Sequence, residues 1–105
     1  MASGSIFRLS TRQLTRLIHE ASVDSANVVL TLHAKKRMKE RDVSAYVVFE
    51  CLRKGAIHRT PEPNAILGTL ECKMEHFFSG LNCCVVAALS DADPKVVVVT
   101  VFEVE

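Results

Sequence analysis

Leu67-Gly68-Thr69-Leu70-Glu71-Cys72-Lys73-Met74-Glu75-His76-Phe77-Phe78, then Ser79-Gly80, then Leu81-Asn82-Cys83-Cys84-Val85-Val86-Ala87-Ala88-Leu89-Ser90, is the stretch that decides the fold. Leu70, Cys72, Met74, His76 and Phe78 alternate with Glu71, Lys73, Glu75 and Phe77. A period of two makes this a half-buried strand. Asn82 to Ser90 is almost continuously apolar, which fits a central strand covered on both faces. Ser79-Gly80 between them reads as a hairpin turn. Asp91-Ala92-Asp93-Pro94 is a second turn, and Lys95 to Val104, with its run Val96 to Phe102, is the last strand. Connections this short force antiparallel pairing.

Upstream of the meander, Ala56 to Thr60 reads as one more short strand, ended by Pro61-Glu62-Pro63-Asn64. Before Gly55 the period changes to that of helices. Val47, Val48, Cys51 and Leu52 form the buried stripe of a helix from Ala45 to Lys54, capped by Ser44. Gly55 is expected to end it in the left-handed conformation. A second helix runs from Leu32 to Glu40 behind Thr31 as N-cap, with Ala34 and Met38 inward, until Asp42 and Ser44 break the pattern. Val28 to Leu32 itself is ambiguous between strand and helix. Ser10 and Gln13 form a capping box for a first helix, Thr11 to Ala21, whose stripe is Leu14, Leu17, Ile18 and Ala21. The expected fold is α+β: two or three N-terminal helices packed on one face of a three- to four-stranded antiparallel β-meander.

At 105 residues the chain fits one domain, residues 1–105, with a leading helix and turn at 11–28. Its apolar fraction of 49% excludes a disordered polymer. Its longest apolar run, Cys83 to Leu89, falls far short of the roughly 18 residues a membrane helix needs. Arg8 and Arg12 interrupt any signal-peptide core, so a cytoplasmic location without membrane contact is expected. There Cys51, Cys72, Cys83 and Cys84 default to reduced thiols. Cys72, His76 and Cys83 have a superficially zinc-like spacing but lack a CxxC knuckle; no metal site and no cofactor is expected. Residues 1–55 carry ten Lys/Arg against five Asp/Glu, and residues 56–105 carry three against seven. A basic helical half points to an anionic partner, RNA or ribosome. Opposite charges on the two halves equally suit a protein partner or a homodimer.

The most distinctive segment is His33-Ala34-Lys35-Lys36-Arg37-Met38-Lys39-Glu40-Arg41, with five basic residues and a histidine in nine positions. On a helix His33, Arg37 and Arg41 recur every four residues on one side, and Lys36 sits near His33. Neighbouring cations would favour a neutral imidazole, able to act as a base near pH 7. Guanidinium groups can grip a phosphate with two hydrogen bonds and stabilise charge developing on it. That chemistry suits RNA cleavage in which a 2′-hydroxyl attacks the adjacent phosphate. The competing reading is a solvated basic face, with Arg37 or Arg41 paired to Glu71, Glu75 or Asp42. Thr100 interrupts a valine run with a hydroxyl; a lone Thr in a buried strand is more often a packed valine mimic whose hydroxyl bonds locally. His58 and Arg59 can extend a basic rim, and His19 ends the first helix, where a cation is favourable. A single tyrosine and no tryptophan offer little for a base-stacking platform.

The string from His33 to Ile57 resembles the opening of the domain of unknown function 4258 family, whose members begin with an HAxxRMxxR-type helix. Leu70 to Glu75 resembles that family's CRME-like strand, Gly80 its glycine turn, Val85 to Leu89 its hydrophobic strand and Val97 to Phe102 its closing VVTV strand. The resemblance spans residues 29–104. It implies a bacterial, mobile-element setting and a layout similar to the barnase/RelE-like toxin fold, which cuts RNA without metal. By that resemblance the catalytic candidates are His33, Arg37, Arg41, Lys73 and Thr100: His33 as base or acid, Arg37 and Arg41 as phosphate clamp, Lys73 as charge stabiliser and Thr100 as orienting group. Lys35, Lys36, Lys39 and Arg59 are the nucleic-acid-binding candidates. The expected function is RNA binding or metal-independent RNA cleavage of RelE-like type. The alternative is a non-enzymatic inhibitor or adaptor acting through protein contacts, for which an exposed edge on the final strand would serve.

Overall fold

A computed structural model describes residues 5–78 and 80–104. Helix α1 spans Thr11–Ala21, α2 Leu32–Glu40 and α3 Ala45–Lys54. Each starts where its sequence can satisfy the free N–H groups of a first turn. The Gln13 amide donates to Ser10 Oγ at 3.1 Å while the Ser10 amide donates to Gln13 Oε1 at 2.9 Å, a complete capping box. The Ala34 amide donates to Thr31 Oγ1 at 3.1 Å, and the Val47 amide to Ser44 Oγ at 3.3 Å.

The helix ends differ more. At α2 the Val43 amide donates to Met38 O at 2.8 Å and the Asp42 amide to Lys39 O at 3.3 Å, with Asp42 at φ 56°. This is a Schellman turn whose left-handed position is filled by aspartate. At α3, Gly55 departs from expectation: it is extended, at φ −75° and ψ −178°. Its lack of a side chain serves proximity instead, since a Cβ there would lie 2.5 Å from Cys51 O and 2.8 Å from Glu75 O.

Six strands form one mixed sheet, more than expected: β1 Val28–Leu30, β2 Ala56–Ile57, β3 Glu62–Asn64, β4 Thr69–Phe78, β5 Leu81–Ser90 and β6 Val96–Glu103. Their order is β1-β6-β5-β4-β2, and β3 also pairs with β4. The hairpin and meander β4-β5-β6 are antiparallel, as their short turns require. Gly80 sits at φ 78° in the β4–β5 turn; Ser79, its expected partner there, lies outside the described residues. The two additional strands are β1 and β3. β1 runs parallel to β6, from Val28 opposite Val96 to Leu30 opposite Val98, and so covers the first part of the edge of β6. β3 occupies the Pro61–Asn64 stretch read as a terminator. Pro63 pairs with Leu70 there because an edge position spares it the missing N–H.

Strand register assigns the faces. Leu70, Cys72 and Met74 of β4, Cys83, Val85, Ala87 and Leu89 of β5, and Val96, Val98 and Val101 of β6 share one core with Leu14, Ile18, Ala34, Met38, Val48, Cys51 and Leu52 of the helices. The other face carries Glu71, Lys73 and Glu75 opposite Ala88, Val86 and Cys84. Those three β5 residues are nonetheless buried, so β5 is covered on both sides. In β6 the register slips at Val86/Ala87: Ala87 faces Val98 while Val86 faces Thr100, leaving Val99 as the extra residue of a bulge. Without the slip, Val98 and Val101 would take opposite faces; with it both are fully buried.

Candidate functional site

Helix α2 buries only Ala34 and Met38. Its first turn is held by one side chain. The Thr31 hydroxyl accepts the Ala34 amide and itself donates to Val98 O at 2.8 Å, with Val99 O at 3.3 Å. The bulge carbonyls and the helix start therefore share an anchor, which ties the turn carrying His33 to β6 at Val98 and Val99. His33, Lys35, Lys36, Lys39 and Arg41 are exposed. Arg37 is half-exposed and pairs with Glu40 at 3.1 Å. Among the described residues none of Lys35, Lys36, Lys39 or Arg41 is in an ion pair. The pairing of Arg37 or Arg41 with Glu71, Glu75 or Asp42 is replaced by this local Arg37–Glu40 contact.

The remaining candidates lie on the sheet face turned away from the helices. Lys73, Val86 and Thr100 form one row across β4, β5 and β6. Two strand spacings separate Lys73 from Thr100, about 10 Å. In the next row Glu75, Cys84 and Phe102 are aligned, and Arg59 reaches Glu75 at 3.7 Å. Burial pushes the Cys84 thiol up to about 12; Glu75 and Cys83 add to the rise, while Lys73 and Arg59 oppose it. Cys84 is thus a neutral thiol at pH 7 among charged neighbours and no nucleophile. Burial likewise raises Cys72, to about 11. Cys51 is driven up by its hydrogen bond with Cys83 and by burial, and its thiol donates to Met74 O at 3.0 Å.

The structure therefore groups the candidates in two sets. Arg59, Lys73 and Thr100 share the helix-free face. His33, Arg37 and Arg41 belong to the helix layer, joined to the sheet through Thr31. No hydrogen bond or ion pair links the two sets among the described residues. Cys72 and His76, four residues apart on the extended β4, are separated by roughly 13 Å, too far for one tetrahedral centre. No cluster of three metal-ligating side chains occurs among the described residues. His19 holds the fold together: its Nε2 lies 2.6 Å from Gly55 O and, facing a carbonyl, must carry the proton. Sequence reasoning missed the Val99 bulge, the Arg59–Glu75 pair and the role of Thr31 beyond capping. All three depend on pairings between distant strands. No helix among the described residues is long and apolar enough to cross a membrane.

The family model described as Domain of unknown function (DUF4258) matches residues 30–103, from the end of β1 to the end of β6, and the chain belongs to that family. No curated protein and no solved structure matches it.

Proposed function

We propose that this member of the family binds RNA along α2 and cuts it at the junction of α2 and β6. The observation that carries the reading is the uncompensated charge of α2: Lys35, Lys36, Lys39 and Arg41 stand in solvent without ion-pair partners among the described residues. Such a helix attracts a polyanion and releases its counterions. The anchoring of Thr31 at Val98 and Val99 supports the cleavage step, because it fixes on β6 the first turn of α2, which carries His33.

In that step His33 takes the 2′-hydroxyl proton. The freed oxygen attacks the adjacent phosphorus and the bond to the 5′-oxygen breaks. The products are a 2′,3′-cyclic phosphate and a 5′-hydroxyl, whose proton returns through His33 or water. Arg41, with Arg37 released from Glu40, holds the non-bridging oxygens. Thr100 and Lys73, the other two catalytic candidates, lie on the helix-free face of the sheet and take no part in this step.

The test is incubation with total RNA, and separately with translating ribosomes, in the presence of chelator. Cleavage by the wild type that disappears in His33→Ala/Arg37→Ala is the expected result. Binding without cleavage by the wild type would leave an RNA-binding module. Neither binding nor cleavage, with the protein folded, would overturn the reading in favour of an inhibitor or adaptor acting through protein contacts.

A further inference from the structure

One end of the sheet carries both a convex and a concave apolar feature. The convex one is the turn between β3 and β4. The Gly68 amide donates to Asn64 O at 2.8 Å and the Leu67 amide to Asn64 Oδ1 at 3.1 Å, so the turn is well defined. Yet it holds Ile66 94% exposed and Leu67 69% exposed. Two adjacent aliphatic side chains on a defined turn carry a solvation cost that no contact among the described residues offsets.

The concave feature is a groove of about 710 Å³ between α1 and the β5–β6 turn. Its apolar lining comes from Ile6, Leu9, Leu17, Ala21, Leu89 and Pro94. Tip and groove belong to the same end of the molecule, because Thr69, which follows the tip, pairs with Ser90, which lines the groove. The rim charges nearly balance: Arg16 pairs with Glu20 at 3.3 Å, and Lys95 stands near Asp93 in the lining, while Asp91 is occupied by Ser5 and the Ile6 amide.

We infer that this end is a self-association surface, at which two copies meet about a twofold axis and each inserts Ile66 and Leu67 into the other's groove. Three features select a second copy as the occupant. A knob and a groove on one patch are what an isologous contact requires, and the contact closes at two chains. A nearly neutral rim lets identical surfaces approach, whereas the basic α2 would repel its own copy. The groove volume lies in the range that takes several aliphatic side chains. The inference is independent of the RNA reading.

Sedimentation of the full chain tests it. At about 100 µM, a range suited to a contact of modest area, the wild type is expected at twice the 11.6 kDa chain mass. Ile66→Asp/Leu67→Asp, which changes only exposed positions, is expected to raise the dissociation constant at least tenfold, with an unchanged circular dichroism spectrum. Pro94→Arg, at the groove wall, is expected to do the same. Mixing the two variants should restore part of the association, because the intact groove of one accepts the intact tip of the other. A monomeric wild type overturns the proposal. So does a tip variant that remains dimeric, or a mixture in which the two variants stay monomeric.

Discussion

Helices α2 and α3 pack against the same face of the same sheet, yet they are built for different ends. α3 lies over β4 and β5 and buries Val48, Glu50, Cys51 and Leu52. Even its buried carboxylate is compensated, by Lys54 at 3.0 Å. Arg53 stacks over Phe49 at 5.1 Å and donates to Ser22 O at 2.7 Å, closing the end of α1. α2 lies over β6, buries two small or flexible side chains, and exposes Lys35, Lys36 and Lys39 without ion-pair partners among the described residues. The difference separates a helix whose polar groups are spent inside the fold from one whose charges remain available to something outside it.

The largest effect should come from the α3 side. Gly55→Ala puts a Cβ within 2.5 Å of Cys51 O and 2.8 Å of Glu75 O, both backbone atoms. Neither can give without moving α3 or β4. The expected loss is about 2–3 kcal/mol, or roughly 10–20 °C in Tm for a domain of this size. Thermal unfolding followed by circular dichroism measures it. A change below about 0.5 kcal/mol would mean that α3 is not locked against β4, and the contrast with α2 would fail.

On α2 the expectation is reversed. Lys35→Glu/Lys39→Glu should leave the unfolding free energy within about 0.5 kcal/mol, since both side chains are exposed. RNA affinity should fall at least tenfold, and the slope of log K against log salt should flatten by about 1.4 if two phosphate contacts to a single strand are lost. Fluorescence anisotropy with a short RNA reads both quantities. Unchanged affinity and slope would show that the charge on α2 is only a solvated face.

The same contrast governs what could be read in advance. All three helices were legible to the residue because their starts are decided within three positions: Ser10 with Gln13, Thr31 with Ala34, Ser44 with Val47. The hairpin β4–β5 was legible because alternation and a glycine turn are local too. β1 was legible only as an ambiguous stretch whose β-branched pair favours extension, since a three-residue run becomes a strand only when β6 arrives beside it. β3 hid in a Pro-rich stretch whose edge position removes the usual penalty. Gly55 was recognised as necessary for the wrong reason: its constraint comes from the Cys51 carbonyl of its own helix and from the Glu75 carbonyl of the neighbouring β4, and no local pattern reveals the second. For the candidate site, composition exposed the basic run. Whether its cations were free or paired depended on where Glu71 and Glu75 fell, and Glu75 went to Arg59.

A smaller effect sharpens the comparison at the end of α2. Asp42 occupies the left-handed position of the Schellman turn at φ 56°, a conformation costing an L-residue roughly 1 kcal/mol. It also sets a negative charge near the negative end of the helix. Asp42→Gly should therefore raise stability by about 1 kcal/mol, and Asp42→Asn by less, because it removes the charge and keeps the side chain. Urea unfolding midpoints of the two variants separate the terms. Destabilisation by both would assign the Asp42 carboxylate a favourable partner that the helix end does not supply.

The smallest expected effect concerns the latch that ties Ser5 and Ile6 to the turn between β5 and β6. The Ser5 hydroxyl and the Ile6 amide, the latter at 2.9 Å, donate to the Asp91 carboxylate, and they hold its carboxyl below the usual range. A pKa lowered on folding contributes stability that is complete above the unfolded value, near 3.9, and lost as pH falls through the folded value. The carboxylate is exposed, so solvent limits the contribution to a minor one. The Ile6 amide shift, followed by NMR from pH 6 downward, should titrate with a midpoint below about 3.9, and Asp91→Asn should abolish that titration. A midpoint at the ordinary carboxylate value would mean the latch is not closed in solution. Ile6 would then owe its burial to the core alone, in the same way that Leu14 and Ile18 do.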